Sequence, residues 1–162
     1  MTQEYFSVAL SERTSLAIPL ANVGKVIQIE FKSICTVPGI SDFWYGAINF
    51  KGSLLWVLDS DRYFNIPHQR QNTNLNKLVS VMIRHHQQDN SKQVAIVTPK
   101  LEGIIAVESD QLKQLEQVTN NTTANLKNCS DRVVIEPDKH TYILNPASLL
   151  AQLHQQSALL SA

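Results

Sequence analysis

The chain has 162 residues, enough for one ordinary domain or for two small barrels sharing a core. Hydrophobic residues make up 43% of it, which excludes wholesale disorder, and 14 Lys+Arg balance 14 Asp+Glu to a formal net charge of zero. That balance gives neither the basic excess of a nucleic-acid binder nor a long-range attraction to anionic lipid.

Read from the N-terminus, MTQEYFSVAL carries Glu4 and lacks both a basic flank and an apolar stretch, so it is not a signal peptide. Residues 5–10 alternate apolar and polar, 11–14 are a polar turn, and 15–19 return as a second strand, which predicts a hairpin. Residues 20–23 have room for one helical turn, 24–29 (GKVIQI) make a third strand, and Val37-Pro38-Gly39 is a turn signal. Residues 46–50 form a short strand, Lys51-Gly52 a tight connection and 53–58 a strongly apolar strand, after which Asp59 and Ser60 can cap a short helix ending near Phe64. Residues 65–76 (NIPHQRQNTNLN) have the composition of a linker or long surface loop.

Residues 77–84 and 93–98 are expected as strands joined by the polar turn HHQQDNS, and Pro99 ends the second. Residues 101–107 are a further strand candidate, 118–128 (VTNNTTANLKN) a polar loop, and 132–135 with 141–144 a last hairpin around Pro137-Asp138. Asn145 as cap and Pro146 in the first turn open a closing helix over 146–160, with Leu149, Leu150 and Leu153 as its apolar stripe. No apolar run approaches the roughly 18 residues of a membrane-spanning helix.

The two halves echo each other. Val57-Leu58-Asp59 precedes the helix at 60–64, and Ile143-Leu144-Asn145 precedes the helix from 146. The short, numerous strands and this doubled unit predict an all-β fold of two small five-stranded barrels packed together, the first over about 16–64 and the second over about 77–145, with a C-terminal helix.

The search for reactive chemistry returns structural readings. There is no nucleophile elbow, phosphate loop, dinucleotide fingerprint or H-E-x-x-H. His85 and His86 are adjacent, so on a strand they face opposite sides and do not chelate one metal, and in a hairpin turn they are solvated. His68, His140 and His154 are isolated. Asp59 and Asp61, and Glu108 and Asp110, are close in sequence, but Asp59 is better explained as a helix cap and Asp110 as a cap for the segment at 112–115. Cys35 follows Ile34 with no adjacent base and reads as a buried structural thiol; it forms no C-x-x-C with Cys129, and two reduced thiols in a cytoplasm are expected. No catalytic residue, metal or cofactor is expected.

The stretch 16–64 resembles the CheW family of chemotaxis adaptors. Ile18-Pro19-Leu20 with Val23 and Val26 resembles the family's entry to the third strand, and Val37-Pro38-Gly39 sits at its turn. Gly46-Ala47-Ile48-Asn49-Phe50-Lys51-Gly52 is similar to its G-V-I-N-L-R-G signature, and Val57-Leu58-Asp59 to its V-V-D. Residues 77–107 and 142–150 resemble the second half of the family pattern, so the likeness covers nearly the whole chain. Elementary stereochemistry accounts for part of the signature: Gly52 suits a turn position with positive φ, Asn49 can bond its own backbone there, Ile48 and Phe50 share a core face, and Lys51 reaches solvent.

The resemblance implies two barrels resembling Src-homology-3 folds, no enzymatic activity, and a scaffold that couples the cytoplasmic tip of a methyl-accepting chemoreceptor to the regulatory domain of a CheA-type histidine kinase. On that reading Val37, Pro38, Phe43 and Gly46 face the kinase, and Lys25, Asn49 and Lys51 face the receptor in the groove between the barrels. A cytoplasmic location beside membrane-associated receptor arrays, with no nucleic acid and no membrane insertion, follows from the same likeness. A start at Met1 and a closing helix predict a free-standing adaptor rather than a module of a kinase.

This chain departs from the family pattern at chosen points. Lys51 stands where the family usually has Arg, Lys25 where it usually has an acid, Val97-Thr98-Pro99-Lys100-Leu101 lacks the acid of the family's V-V-D-x-V phrase, and Asp61 replaces a frequent Arg. Those changes point to an adaptor of a divergent chemosensory system, such as one steering surface motility or phototaxis. A nucleic-acid-binding barrel is the main rival, because Phe43-Trp44-Tyr45 could offer a stacking surface; a β-barrel module with a different protein partner and an enzyme using Asp59, Asp61 or a histidine are the others.

Overall fold

The computed structural model describes residues 1–66, 76–87, 90–115 and 124–156. Strands β1 (Thr2–Ala9) and β2 (Thr14–Pro19) open the chain, followed by β3 (Val23–Glu30), β4 (Trp44–Phe50), β5 (Ser53–Asp59) and the one-turn helix α1 (Ser60–Tyr63). Then come β6 (Lys77–Gln87), β7 (Asn90–Val97), β8 (Lys100–Glu108) and β9 (Leu112–Gln114), and finally α2 (Ala124–Asn128), β10 (Ser130–Ile135), β11 (His140–Leu144) and α3 (Pro146–Gln156). The strands form two curled sheets in the orders β3-β6-β7-β5-β4 and β8-β1-β2-β11-β10-β9. They are the two Src-homology-3-like barrels, here called first and second; the first has the expected five strands, whereas the second has six because β9 adds to its edge.

The barrels are interleaved along the chain, which corrects the contiguous division at 16–64 and 77–145. β2 belongs to the second barrel, and β6 and β7 belong to the first. Laid side by side, the sheets repeat one plan. An antiparallel edge strand (β3 or β8) flanks a hairpin (β6–β7 or β1–β2). The hairpin joins a parallel strand (β5 or β11), which pairs with an antiparallel neighbour (β4 or β10). The first barrel takes its hairpin from the strands that follow α1, whereas the second takes its hairpin from the start of the chain.

The doubled helix start seen in the sequence is physical. Asp59 Oδ1 accepts from Asp61 N at 3.0 Å, and Asn145 Oδ1 accepts from Ser148 N at 3.1 Å, so each closing strand hands over to a capped helix. Two local expectations give way. Residues 124–128 form α2, because Leu126 buries into the core and Ser130 Oγ donates to its carbonyl at 2.6 Å. At 108–114 the cap is Glu108 rather than Asp110, and it opens a single 3-10 turn before strand β9 rather than a helix. The expected turn HHQQDNS also shrinks, since β6 continues through His85 and His86, opposite Lys92 and Ser91. His68, residues 67–75 of the expected linker, residues 118–123 of the expected polar loop and residues 157–160 of the predicted helix lie outside the described residues.

Three clusters hold the molecule together. Ile29, Leu55, Met82 and Ala95 fill the first barrel, and Tyr5, Ala17, Val107 and Ile143 fill the second. The largest cluster lies between the barrels, where Leu16 and Ile18 meet Leu58, Phe64, Ile83 and Ile96. Each such side chain contributes about 1.5–3 kcal/mol by leaving water, so the interface, not either barrel interior, is the main core.

Register shows where that core ends. Leu58, Ile96, Val81 and Val26 are successive cross-strand partners, and so are Ile18, Phe6 and Ile104. Partners directly opposite carry side chains on one face. The buried row of each barrel therefore runs outward to an exposed apolar residue on its edge strand, Val26 at 50% exposure and Ile104 at 63%.

Candidate functional site

Both edge strands bulge just before that exposed residue. In β3 the register breaks between Val23 and Val26, leaving Gly24 and Lys25 opposite the β6 ladder. In β8 it breaks opposite Ser7 and Val8, where Glu102 is the extra residue beside Gly103. Each bulge thus pairs one glycine with one charged residue, and each turns that charge towards the hairpin turn at the far side of its own sheet.

In the first barrel that turn is Lys51-Gly52, both at positive φ (51° and 82°), with Asn49 Oδ1 accepting from Gly52 N at 3.0 Å. The Lys25 ammonium lies 5.9 Å from the centroid of the Phe50 ring and the Lys51 ammonium 5.5 Å from it. Lys25 titrates below the ordinary lysine value because Lys51 stands beside it, with a smaller push from Arg84. Arg84 leans over the bulge: a Cβ on Gly24 would sit 3.1 Å from its guanidinium, and its Nε is buried without a hydrogen-bond partner among the described residues. Of the three receptor-facing residues expected from the sequence, Lys25 and Lys51 therefore meet over one aromatic ring at the mouth of the first barrel, and Asn49 braces the turn that carries Lys51.

The second barrel has the opposite chemistry at its mouth. Glu102 Oε1 accepts from Ser7 and Ser15, each at 2.7 Å, and Oε2 accepts from Lys139 Nζ at 2.9 Å. Lys139 lies in the turn between β10 and β11, the counterpart of Lys51. Burial alone raises the Glu102 pKa, but the hydrogen bonds from Ser15, Lys139 and Ser7 outweigh it and hold the carboxyl below its usual value.

The expected kinase-facing residues divide. Val37 and Pro38 are exposed, in the segment between β3 and β4. Phe43 is half-buried, with the ring of Tyr63 at 5.0 Å and that of Trp44 at 5.4 Å, and its carbonyl accepts from Asp59 N at 2.8 Å. Gly46 is buried at φ 140°, and a Cβ there would overlap the Cys35 carbonyl oxygen and come within 2.9 Å of Ile34 Cγ2. Of the four, only Val37 and Pro38 are exposed, while Phe43 and Gly46 are held within the fold by their neighbours.

Sequence reasoning missed Phe31, half-exposed and edge-on to Tyr45 at 6.2 Å; its position at the end of an alternating strand was the available signal. It also missed Arg84 and Glu102, whose partners are far away in the chain. Cys35 is exposed, not buried, because its backbone pairs with Ala47 and turns the thiol outward. Cys129 is the buried thiol, pushed up to about 11 by burial. Trp44, at the centre of the aromatic run, is 8% exposed and packs into the core, so that run is not a stacking surface. Among the described residues no cluster of His, Cys, Asp or Glu has metal-site geometry, and no helix is long and apolar enough to cross a membrane.

Two interleaved Src-homology-3-like barrels with a shared core and closing helix define a class of scaffold fold. A family model for the CheW-like domain matches residues 4–154, and the chain belongs to that family of chemotaxis scaffolds. Its fold is similar to that of the scaffolding protein TtCheW from Thermoanaerobacter tengcongensis, with a TM-score of 0.67, 17% identity, and 90% of each chain covered. No curated protein sequence matches significantly.

Proposed function

We propose that the chain is a non-enzymatic cytoplasmic adaptor that couples the cytoplasmic tip of a methyl-accepting chemoreceptor to the regulatory domain of a CheA-type histidine kinase. The observation that carries this reading is the family match, which spans both barrels from residue 4 to residue 154. Val37 and Pro38 form the kinase-facing surface, with Phe43 and Gly46 holding its shape. Lys25, Asn49 and Lys51 form the receptor-facing surface. Such an adaptor acts by linkage: holding both partners raises their effective concentration and biases the kinase between its states.

Calorimetric titration of the chain with the kinase regulatory domain encoded in the same genome, at two salt concentrations, tests the kinase half. Micromolar or tighter binding with weak salt dependence is expected of an apolar barrel-to-barrel contact. Absence of binding to every such kinase in the genome contradicts it.

A further inference from the structure

Glu102 shows how the mouth of the second barrel is closed. A carboxylate on the edge-strand bulge joins the strand to the opposite turn, and two buried hydroxyls and one ammonium satisfy it. The first barrel has the same kind of bulge and the same turn lysine, but among the described residues no carboxylate lies between them. It holds instead two ammoniums over one ring, and a guanidinium whose Nε has no partner among the described residues. Like charges held this close raise the energy of the free protein. An anion placed among Lys25, Lys51 and Arg84 removes that repulsion and gains charge-assisted hydrogen bonds. The Phe50 ring between the two lysines adds an apolar contact beside the charges.

We propose that the mouth of the first barrel is completed by its partner: a carboxylate on an acidic side chain of the partner protein seats between Lys25 and Lys51, in the place that Glu102 occupies in the second barrel. This rests on the reading of Lys25, Asn49 and Lys51 as a receptor-facing surface and makes it specific. The matching stretch of the receptor tip is acidic, with apolar side chains flanking the acid. A protein carboxylate fits better than a free anion, because the apolar ring of Phe50 rewards a side chain that brings carbon with its charge.

The test compares wild type with Lys25→Glu and Lys25→Met, measuring affinity for the receptor tip and melting temperature. Lys25→Glu installs the missing acid within the chain. It is expected to raise the melting temperature by about 2 °C, as an exposed ion pair replaces a repulsion, and to weaken tip binding at least tenfold. Lys25→Met is expected to weaken binding severalfold and to lessen its salt dependence. Unchanged tip affinity in Lys25→Glu overturns the proposal and leaves the adaptor reading intact. If wild type does not bind the tip, the receptor assignment falls, and the same three proteins are titrated with the kinase regulatory domain. A tenfold loss there in Lys25→Glu keeps the carboxylate site with another donor, and no loss overturns it. Inorganic phosphate that stabilises wild type but not Lys25→Glu, with no change in affinity for either protein, overturns it in favour of a small-anion site.

Discussion

In the second barrel the charge on the edge-strand bulge, Glu102, is enclosed by Ser7, Ser15 and Lys139, whereas in the first the equivalent bulge turns Lys25 towards Lys51 across the Phe50 ring. The backbone plan is the same in both, down to the bulge, the parallel join and the capped helix. One mouth is satisfied from within and the other is left positive. A duplicated architecture can therefore reserve one copy for stability and expose the other to a partner, with the charge on the bulge and the side chains opposite it, Ser7 in one barrel and Met82 in the other, making the difference.

The largest expected effect lies where the barrels differ in backbone clearance. Gly46→Ala places a methyl against the Cys35 carbonyl at a φ that side chains avoid, which costs about 4 kcal/mol. Urea unfolding should show that loss, and a midpoint within error of wild type would mean that the 34–35 segment yields freely. The next effect breaks the closed mouth. Glu102→Ala leaves the buried hydroxyls of Ser7 and Ser15 without their acceptor, a loss of about 3 kcal/mol.

The pH dependence sharpens the same contrast. The folded pKa of Glu102 lies below its ordinary 4.5, so its contribution is complete above that value and is lost as pH falls through the lowered folded value. Stability measured across the acid limb should flatten in Glu102→Gln, while Lys25→Met leaves the limb unchanged.

Smaller effects test the repeated helix starts. Asp59→Ala and Asn145→Ala each remove one cap bond and should each cost about 1 kcal/mol. A clear difference between them would show that the two helix starts are not equivalent. Smallest of all is Lys51→Glu, which exchanges repulsion with Lys25 for attraction. It should leave melting unchanged or slightly higher while weakening the receptor contact, and a lowered melting point with intact binding would assign Lys51 to the fold instead.

Much of this was legible in the sequence because it depends on neighbours in the chain. Period-two alternation located the strands from β1 to β8, Lys51-Gly52 announced a tight turn with Asn49 bonding into it, and Asp59 and Asn145 marked the helix starts. What depends on distant partners was not legible. The chain gives no local sign that β1–β2 completes the second barrel, since that pairing joins residue 16 to residue 142. Nor does it show that Glu102 meets Lys139 or that Arg84 lies over Gly24. The segment at 124–128 reads as polar, and only the burial of Leu126 by the core makes it a helix. The lysines at 25 and 51 were legible as departures from the family pattern, but their meeting over Phe50 required the curl of the sheet.

The most direct test of the adaptor account is to mix the chain with the receptor tip and the kinase regulatory domain and to follow complex formation by sedimentation velocity. The account predicts a single species containing all three, in which the chain is required for the other two to associate. Association of tip and kinase that proceeds equally well without the chain, or a chain that sediments alone in the presence of both, contradicts it.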